Sequence, residues 1–101
     1  MTGETNTTVL KLGGELLADP NGRRDIATAM YRLASRSLLV VVHGGGREVD
    51  VEMTAKGIPR RAVDGLRVTD AATLEVVVDV LAGRVNTRLV AAARVAGVEA
   101  V

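Results

Sequence analysis

Leu38-Leu39-Val40-Val41-Val42-His43-Gly44-Gly45-Gly46 is the stretch on which the fold turns. Its apolar run is continuous rather than alternating, and it is too short for a helix. That pattern belongs to a strand covered on both faces, as in parallel sheets flanked by helices. A similar pattern stands earlier in the chain, where Thr8-Val9-Leu10 leads into Lys11-Leu12-Gly13-Gly14. Strand, glycines, then helix leaves backbone N–H groups pointing outward at a helix N-terminus, an arrangement that grips phosphate. A glycine pair at the end of a strand is also an ordinary turn. Two such turns in one small region, the first opened by a lysine, point to one anionic ligand clasped from two sides.

Lys11 ends a strand expected to lie inside a sheet, so its ammonium is expected to be withdrawn from solvent, with an anion such as a phosphoryl group beside it. The P-loop spacing is not met, and neither is Gly-x-Gly-x-x-Gly after the first strand. In Asp64-Gly65-Leu66-Arg67-Val68-Thr69-Asp70, an arginine sits between a turn and a helix start. Arg67 is either a solvated charge of the connection or, through its planar fork, a two-point holder of a carboxylate. His43, between strand and glycines, suits fixing the turn better than acid–base work.

The remaining segments alternate helix and strand. Asp19-Pro20-Asn21-Gly22 reads as a breaker, followed by Ile26, Ala29, Met30 and Leu33 at helical spacing. A helix is expected from about Arg47 to Lys56, with Val49 and Met53 inward and Gly57-Ile58-Pro59 stopping it. Asp64-Gly65 predicts a hairpin within Arg60–Val68. Thr69 or Asp70 then caps a helix whose Leu74, Val77, Val78 and Leu81 form a core stripe. Val76 and Val80 extend the apolar surface of that helix to a second face. Gly83 is expected to interrupt it before Val85, Leu89, Ala92 and Ala93 resume the stripe, and Val98–Val101 reads as the opening of another strand.

Composition narrows the class. The 101 residues suffice for one domain, 48% of them are hydrophobic, and the net charge is +1 from 13 basic and 12 acidic residues spread along the chain. Nothing there calls for nucleic acid or a membrane. Met1–Thr8 is polar and has no basic residue, unlike a signal peptide or anchor, and no apolar stretch is long enough to span a bilayer. With one histidine and no cysteine, disulfides and a His/Cys metal cluster are excluded. The expected setting is cytoplasmic, and no metal site is expected in the chain itself.

Four of these motifs in order, Lys11-Leu12-Gly13-Gly14, the strand into His43-Gly44-Gly45-Gly46, Gly65-Leu66-Arg67-Val68-Thr69-Asp70 and Leu81-Ala82-Gly83-Arg84-Val85-Asn86, resemble the N-terminal part of the N-acetylglutamate kinase family of amino acid kinases. The resemblance implies an α/β fold, a three-layer αβα sandwich with a mainly parallel sheet. Residues 1–101 would form its amino-acid-substrate-binding portion, without the C-terminal ATP-binding half. It further implies ATP- and magnesium-dependent phosphorylation of the side-chain carboxylate of N-acetyl-L-glutamate, in arginine biosynthesis. Lys11 would stabilise the phosphoryl group in flight, and Gly14, Gly45 and Gly46 would be backbone donors to it and to the attacking carboxylate. Arg67 would hold the α-carboxylate. ATP and Mg2+ would serve the complete enzyme, the isolated chain being inactive and binding neither tightly. A homodimer is expected through the helix at 70–82, with Val76 and Val80 facing the second copy. The alternatives are an aminoadipate-derivative or aspartate kinase, or a non-catalytic metabolite-binding or dimerisation module of the same fold.

Overall fold

The computed structural model describes residues 6–101, so most of the polar stretch Met1–Thr8, expected to be neither signal nor anchor, lies outside the described residues. Strand β1 (Thr7–Leu12) leads through the first glycine turn into helices α1 (Gly14–Ala18) and α2 (Pro20–Ala34). Strand β2 (Leu38–His43) leads through the second into α3 (Gly46–Ala55). The short strands β3 (Ala62–Val63) and β4 (Leu66–Arg67) precede α4 (Ala71–Val77), which continues through a π-helical segment, Val78–Val85, into α5 (Asn86–Val95).

β1 and β2 pair in parallel from Thr7 opposite Leu38 to Leu12 opposite His43. This register brings both glycine turns to the same end of the sheet. The crossover begins where the sequence suggested a breaker. Asp19 caps α2, its carboxylate accepting from the N–H groups of Asn21 and Gly22 at 3.4 and 3.3 Å, and Pro20 occupies the first turn. The missing proline N–H costs nothing at that position, so the cluster starts a helix rather than a loop.

Helices cover one face of the β1–β2 sheet. Leu10, Leu12, Leu39 and Val41 pack toward Met30, Val80 and Leu89, whereas Val9, Lys11, Leu38, Val40 and Val42 on the other face are exposed. Among the described residues, then, the chain contributes the sheet and one helical layer. Lys11, expected to be withdrawn from solvent, is exposed because its face of the sheet is uncovered.

The α4–α5 helix also differs from its expected orientation. Val76 and Val80, expected on an outer face, are 1% and 0% exposed, while Leu74 and Val78 of the expected core stripe are each 52% exposed. The buried positions are Thr73, Val76, Val80, Val85, Leu89 and Ala93, in steps of three, four, five, four and four residues. Counting back from Val85 with α-helical spacing gives Leu81, Val78 and Leu74, the expected stripe. The wider π turn inserts one residue between Val80 and Val85 and shifts everything before it to Val80, Val76 and Thr73. Gly83 lies inside this segment.

Other local signals appear as expected. Val49 and Met53 of α3 are buried, and Ile58 N–H donates to the Met53 carbonyl beyond Gly57, whose φ is 69°. β3 and β4 form an antiparallel hairpin turned by Asp64 and Gly65 at φ 51° and 76°. Asp70 caps α4, its Oδ1 accepting from Thr73 N–H at 2.9 Å. Val98–Val101, expected to open a strand, pairs with no strand among the described residues. Val98 and Ala100 instead rest against the core, and Arg94 Nε donates to the Ala100 carbonyl at 2.8 Å.

Candidate functional site

The two glycine turns touch. A Cβ on Gly14 would lie 2.5 Å from the Cα of Gly45 and 2.7 Å from its nitrogen, so the backbones approach more closely than any side chain permits. Gly44 N–H donates to the Leu12 carbonyl at 3.1 Å and ties the second turn to the end of β1. A Cβ on Gly45 would sit 2.6 Å from Leu81 Cδ2, so the π segment packs directly onto the turn. At the start of α3, the N–H groups of the first turn have no intrahelical acceptor, and the helix dipole adds partial positive charge.

Arg67 reaches this turn from β4. Its Nη2 donates to the Gly46 carbonyl at 3.4 Å and lies 2.6 Å from Asp50 Oδ1, while Nη1 contacts the Met53 sulfur at 3.2 Å. The carboxylate that Arg67 meets in the free chain is therefore internal. Arg60 Nε approaches the same Asp50 oxygen at 3.5 Å. Sequence reading missed Asp50. Its position four residues after Gly46, on the helix that the glycine turn opens, is the signal that could have exposed it.

The other acidic residues of α3 are similarly engaged. Glu48 pairs with Arg88, and Glu52 with Arg84 at 3.5 Å and Lys56 at 3.9 Å. These side chains are partly exposed, which limits each pair to about 0.2–1 kcal/mol. Their larger effect is to fasten the π segment and α5 to α3 beside the second turn. His43 bridges the Gly44 carbonyl, 3.1 Å from Nδ1, and the Asn86 side-chain amide, 3.4 Å from Nε2.

The structure thus brings Gly14, Gly45, Gly46 and Arg67 together. Lys11 stands on the open face of the sheet opposite Val42, and none of the ion pairs among the described residues includes it. Beside the turns lies a cleft of about 290 Å³ bordered by Gly14, Gly45, Arg47, Glu48 and Arg84. A larger cleft of about 560 Å³, on the side of α2, α5 and Val98–Val101, contains none of the five residues singled out from the sequence. No group of three or more His, Asp or Glu side chains among the described residues is gathered to hold a metal ion. No helix of the described residues is long and apolar enough to cross a membrane.

Residues 6–101 match the amino acid kinase family. The acetylglutamate kinase of Sphingopyxis alaskensis is 45% identical over 85 residues, 83% of this chain and 28% of that protein. The acetylglutamate kinase of Methanopyrus kandleri is 48% identical over 92 residues, 91% of this chain and 34% of that protein. The chain therefore spans about a third of the length of these curated relatives. Among solved structures, N-acetylglutamate synthase from Neisseria gonorrhoeae, complexed with coenzyme A and N-acetyl-glutamate, superposes with a TM-score of 0.74 at 30% identity. That match covers 91% of this chain and 22% of the synthase chain.

Proposed function

Because this chain belongs to the amino acid kinase family, we propose that it supplies the amino-acid-substrate side of an acetylglutamate kinase site, where the side-chain carboxylate of N-acetyl-L-glutamate is phosphorylated. The observation that carries this is the backbone contact of Gly14 with Gly45, together with Arg67 at Gly46. Similarity to proteins named acetylglutamate kinase supports the choice of substrate.

In this role the chain positions and neutralises charge. A substrate carboxylate is already ionised near neutral pH, so no general base is needed. Arg67 takes the α-carboxylate through its fork, and the N–H groups of Gly14, Gly45 and Gly46 face the side-chain carboxylate and the group it receives. Lys11, which enters none of the ion pairs among the described residues, supplies an ammonium to the same end of the sheet. ATP would supply the phosphoryl group together with magnesium, and the glycine N–H groups and Lys11 are donors suited to that anion. The ATP-binding half is assigned to the remainder of an amino acid kinase domain, and the compartment to the cytoplasm. The helical stretch of residues 70–82, α4 and the start of the π segment, would pair with a second copy, now by its exposed Leu74 and Val78.

A second reading, a metabolite-binding module that transfers nothing, draws on the superposition with a synthase. Titration calorimetry with N-acetyl-L-glutamate, its α-amide and L-aspartate tests the substrate assignment. Saturable binding of N-acetyl-L-glutamate, weakened for the α-amide, is expected. Preference for L-aspartate would move the chain to another carboxylate kinase, and binding of none of the three would remove the substrate assignment. The two readings separate in the complete enzyme, where only the kinase yields a hydroxylamine-trappable acyl phosphate.

A further inference from the structure

Building on the substrate assignment above, we propose that Asp50 is a stand-in carboxylate, occupying Arg67 until a substrate carboxylate replaces it, after which Arg60 retains Asp50. A guanidinium offers two edges for a two-point carboxylate grip, Nη1 with Nη2 and Nε with Nη2. Nη2 belongs to both. In this structure Nη2 lies 2.6 Å from Asp50 Oδ1 and also donates to the Gly46 carbonyl at 3.4 Å. One Nη2 hydrogen goes to the Gly46 carbonyl, and Asp50 Oδ1, which accepts no hydrogen bond among the described residues, lies against the same nitrogen as an ion pair, so a second carboxylate gains a forked grip only by displacing the carboxylate already there. The Gly46 carbonyl is fixed at the head of α3, whereas Asp50 is a side chain free to rotate.

The exchange leaves no charge stranded. Asp50 Oδ1 also has Arg60 Nε at 3.5 Å, so departure from Arg67 leaves it a second guanidinium. Arg60 precedes the hairpin that carries Arg67, and Val68 N–H donates to the Arg61 carbonyl at 2.9 Å, linking the two approaches. Meanwhile the Met53 sulfur contact at 3.2 Å keeps the Arg67 side chain directed at the glycine turn. Before substrate arrives, Asp50 thus holds the guanidinium in place, at the cost of competing for it. Competition from a partly exposed pair is modest, because solvent screens it.

The test uses the whole chain and two probes, N-acetyl-L-glutamate and acetate. Asp50→Asn is expected to tighten N-acetyl-L-glutamate binding about two- to fivefold and to leave binding of its α-amide unchanged. Arg60→Ala, at an exposed position, is expected to weaken N-acetyl-L-glutamate binding, since Arg60 and Arg67 are the cations paired with Asp50 among the described residues. Nitrogen-15 NMR reads the Arg67 guanidinium directly. Its rotation about Nε–Cζ should be slow in the wild type and fast in Asp50→Asn, and added carboxylate should slow it again in the variant. Fast rotation in the wild type, or equal or weaker N-acetyl-L-glutamate binding by Asp50→Asn, overturns the proposal. If neither protein binds N-acetyl-L-glutamate, the substrate assignment fails on its own, and acetate decides for Asp50. Slowing at lower acetate concentration in Asp50→Asn than in the wild type upholds the stand-in, and no such slowing in the variant removes it.

Discussion

Gly14 and Gly45, one from each glycine turn, meet backbone to backbone, with room for no Cβ between them. The contact holds two helix N-termini against one small volume at the end of a parallel strand pair. It also makes the geometry sensitive to a single methyl group.

Gly14→Ala is expected to destabilise the fold by about 1–3 kcal/mol, as overpacking against rigid backbone does. Gly13→Ala is the internal control, since nothing lies within 4 Å of its added Cβ and its φ of −71° suits any residue. Its expected effect is within about 0.5 kcal/mol. Urea unfolding of both variants checks the contrast, and equal midpoints would show that the two turns separate freely.

Arg67→Ala should weaken binding of N-acetyl-L-glutamate roughly ten- to hundredfold, the value of about 1.5–3 kcal/mol for a hydrogen bond to a charged group. Lys11→Ala should leave that binding largely intact and, in the complete enzyme, lower turnover instead. An unchanged Michaelis constant for the amino acid in Arg67→Ala would remove its role as carboxylate holder.

The 101-residue chain alone is expected to form no acyl phosphate that hydroxylamine can trap. Phosphoryl transfer depends on in-line positioning between nucleotide and acceptor, and the chain spans about a third of its relatives' length. ATP-dependent hydroxamate formation by the pure chain is the contrary result.

Val76→Glu and Val80→Glu should unfold the chain, since each would bury a charge where the wild-type side chain is almost fully enclosed. Leu74→Glu combined with Val78→Glu should keep the circular-dichroism spectrum of the wild type and yield a monomer by sedimentation. A folded double variant that remains dimeric would take this helix out of the interface.

Asp70 carries a pH dependence of known sign. The Thr73 backbone N–H, followed by the Thr73 side chain, lowers its pKa below the ordinary 3.8. A carboxylate with a depressed folded-state pKa stabilises the fold above the unfolded value, and that stabilisation fades as pH falls through the folded value. The melting-temperature difference between wild type and Asp70→Ala should therefore be constant near neutrality and shrink below about pH 3.8. A difference that persists unchanged at pH 2 would mean that the ionised carboxylate contributes nothing to the cap.

What the sequence disclosed was what local chemistry decides. Glycines at strand ends located both turns, Asp64-Gly65 located the hairpin, Val49 and Met53 showed the inward side of α3, and Asp70 marked a helix start. Of the candidate site, Gly14, Gly45, Gly46 and Arg67 were legible because each sits at a junction whose backbone demands are visible in a few residues. The rest depended on contacts between distant segments. Lys11 is exposed because of what does not cover its sheet face, and Asp50 matters because a hairpin brings two arginines to it. Periodicity placed Val77 and Leu81 against the core but also turned Leu74 and Val78 inward in place of Val76 and Val80, because apolar residues surround that helix and its rotation is left to a π turn that the pattern does not announce.

That π turn also makes the length of the helical stretch an exact count of residues rather than a tolerance. Removing one residue between Val78 and Val85 would restore α-helical geometry yet swing everything before it by roughly 100° and draw it in by about 1.5 Å. Leu74 and Val78 would turn inward, Val76 would turn out, and the hairpin attached ahead of Asp70 would carry Arg67 away from Gly46. An insertion or deletion of one residue, harmless in most surface connections, would here act at the glycine turns from more than a helical turn away.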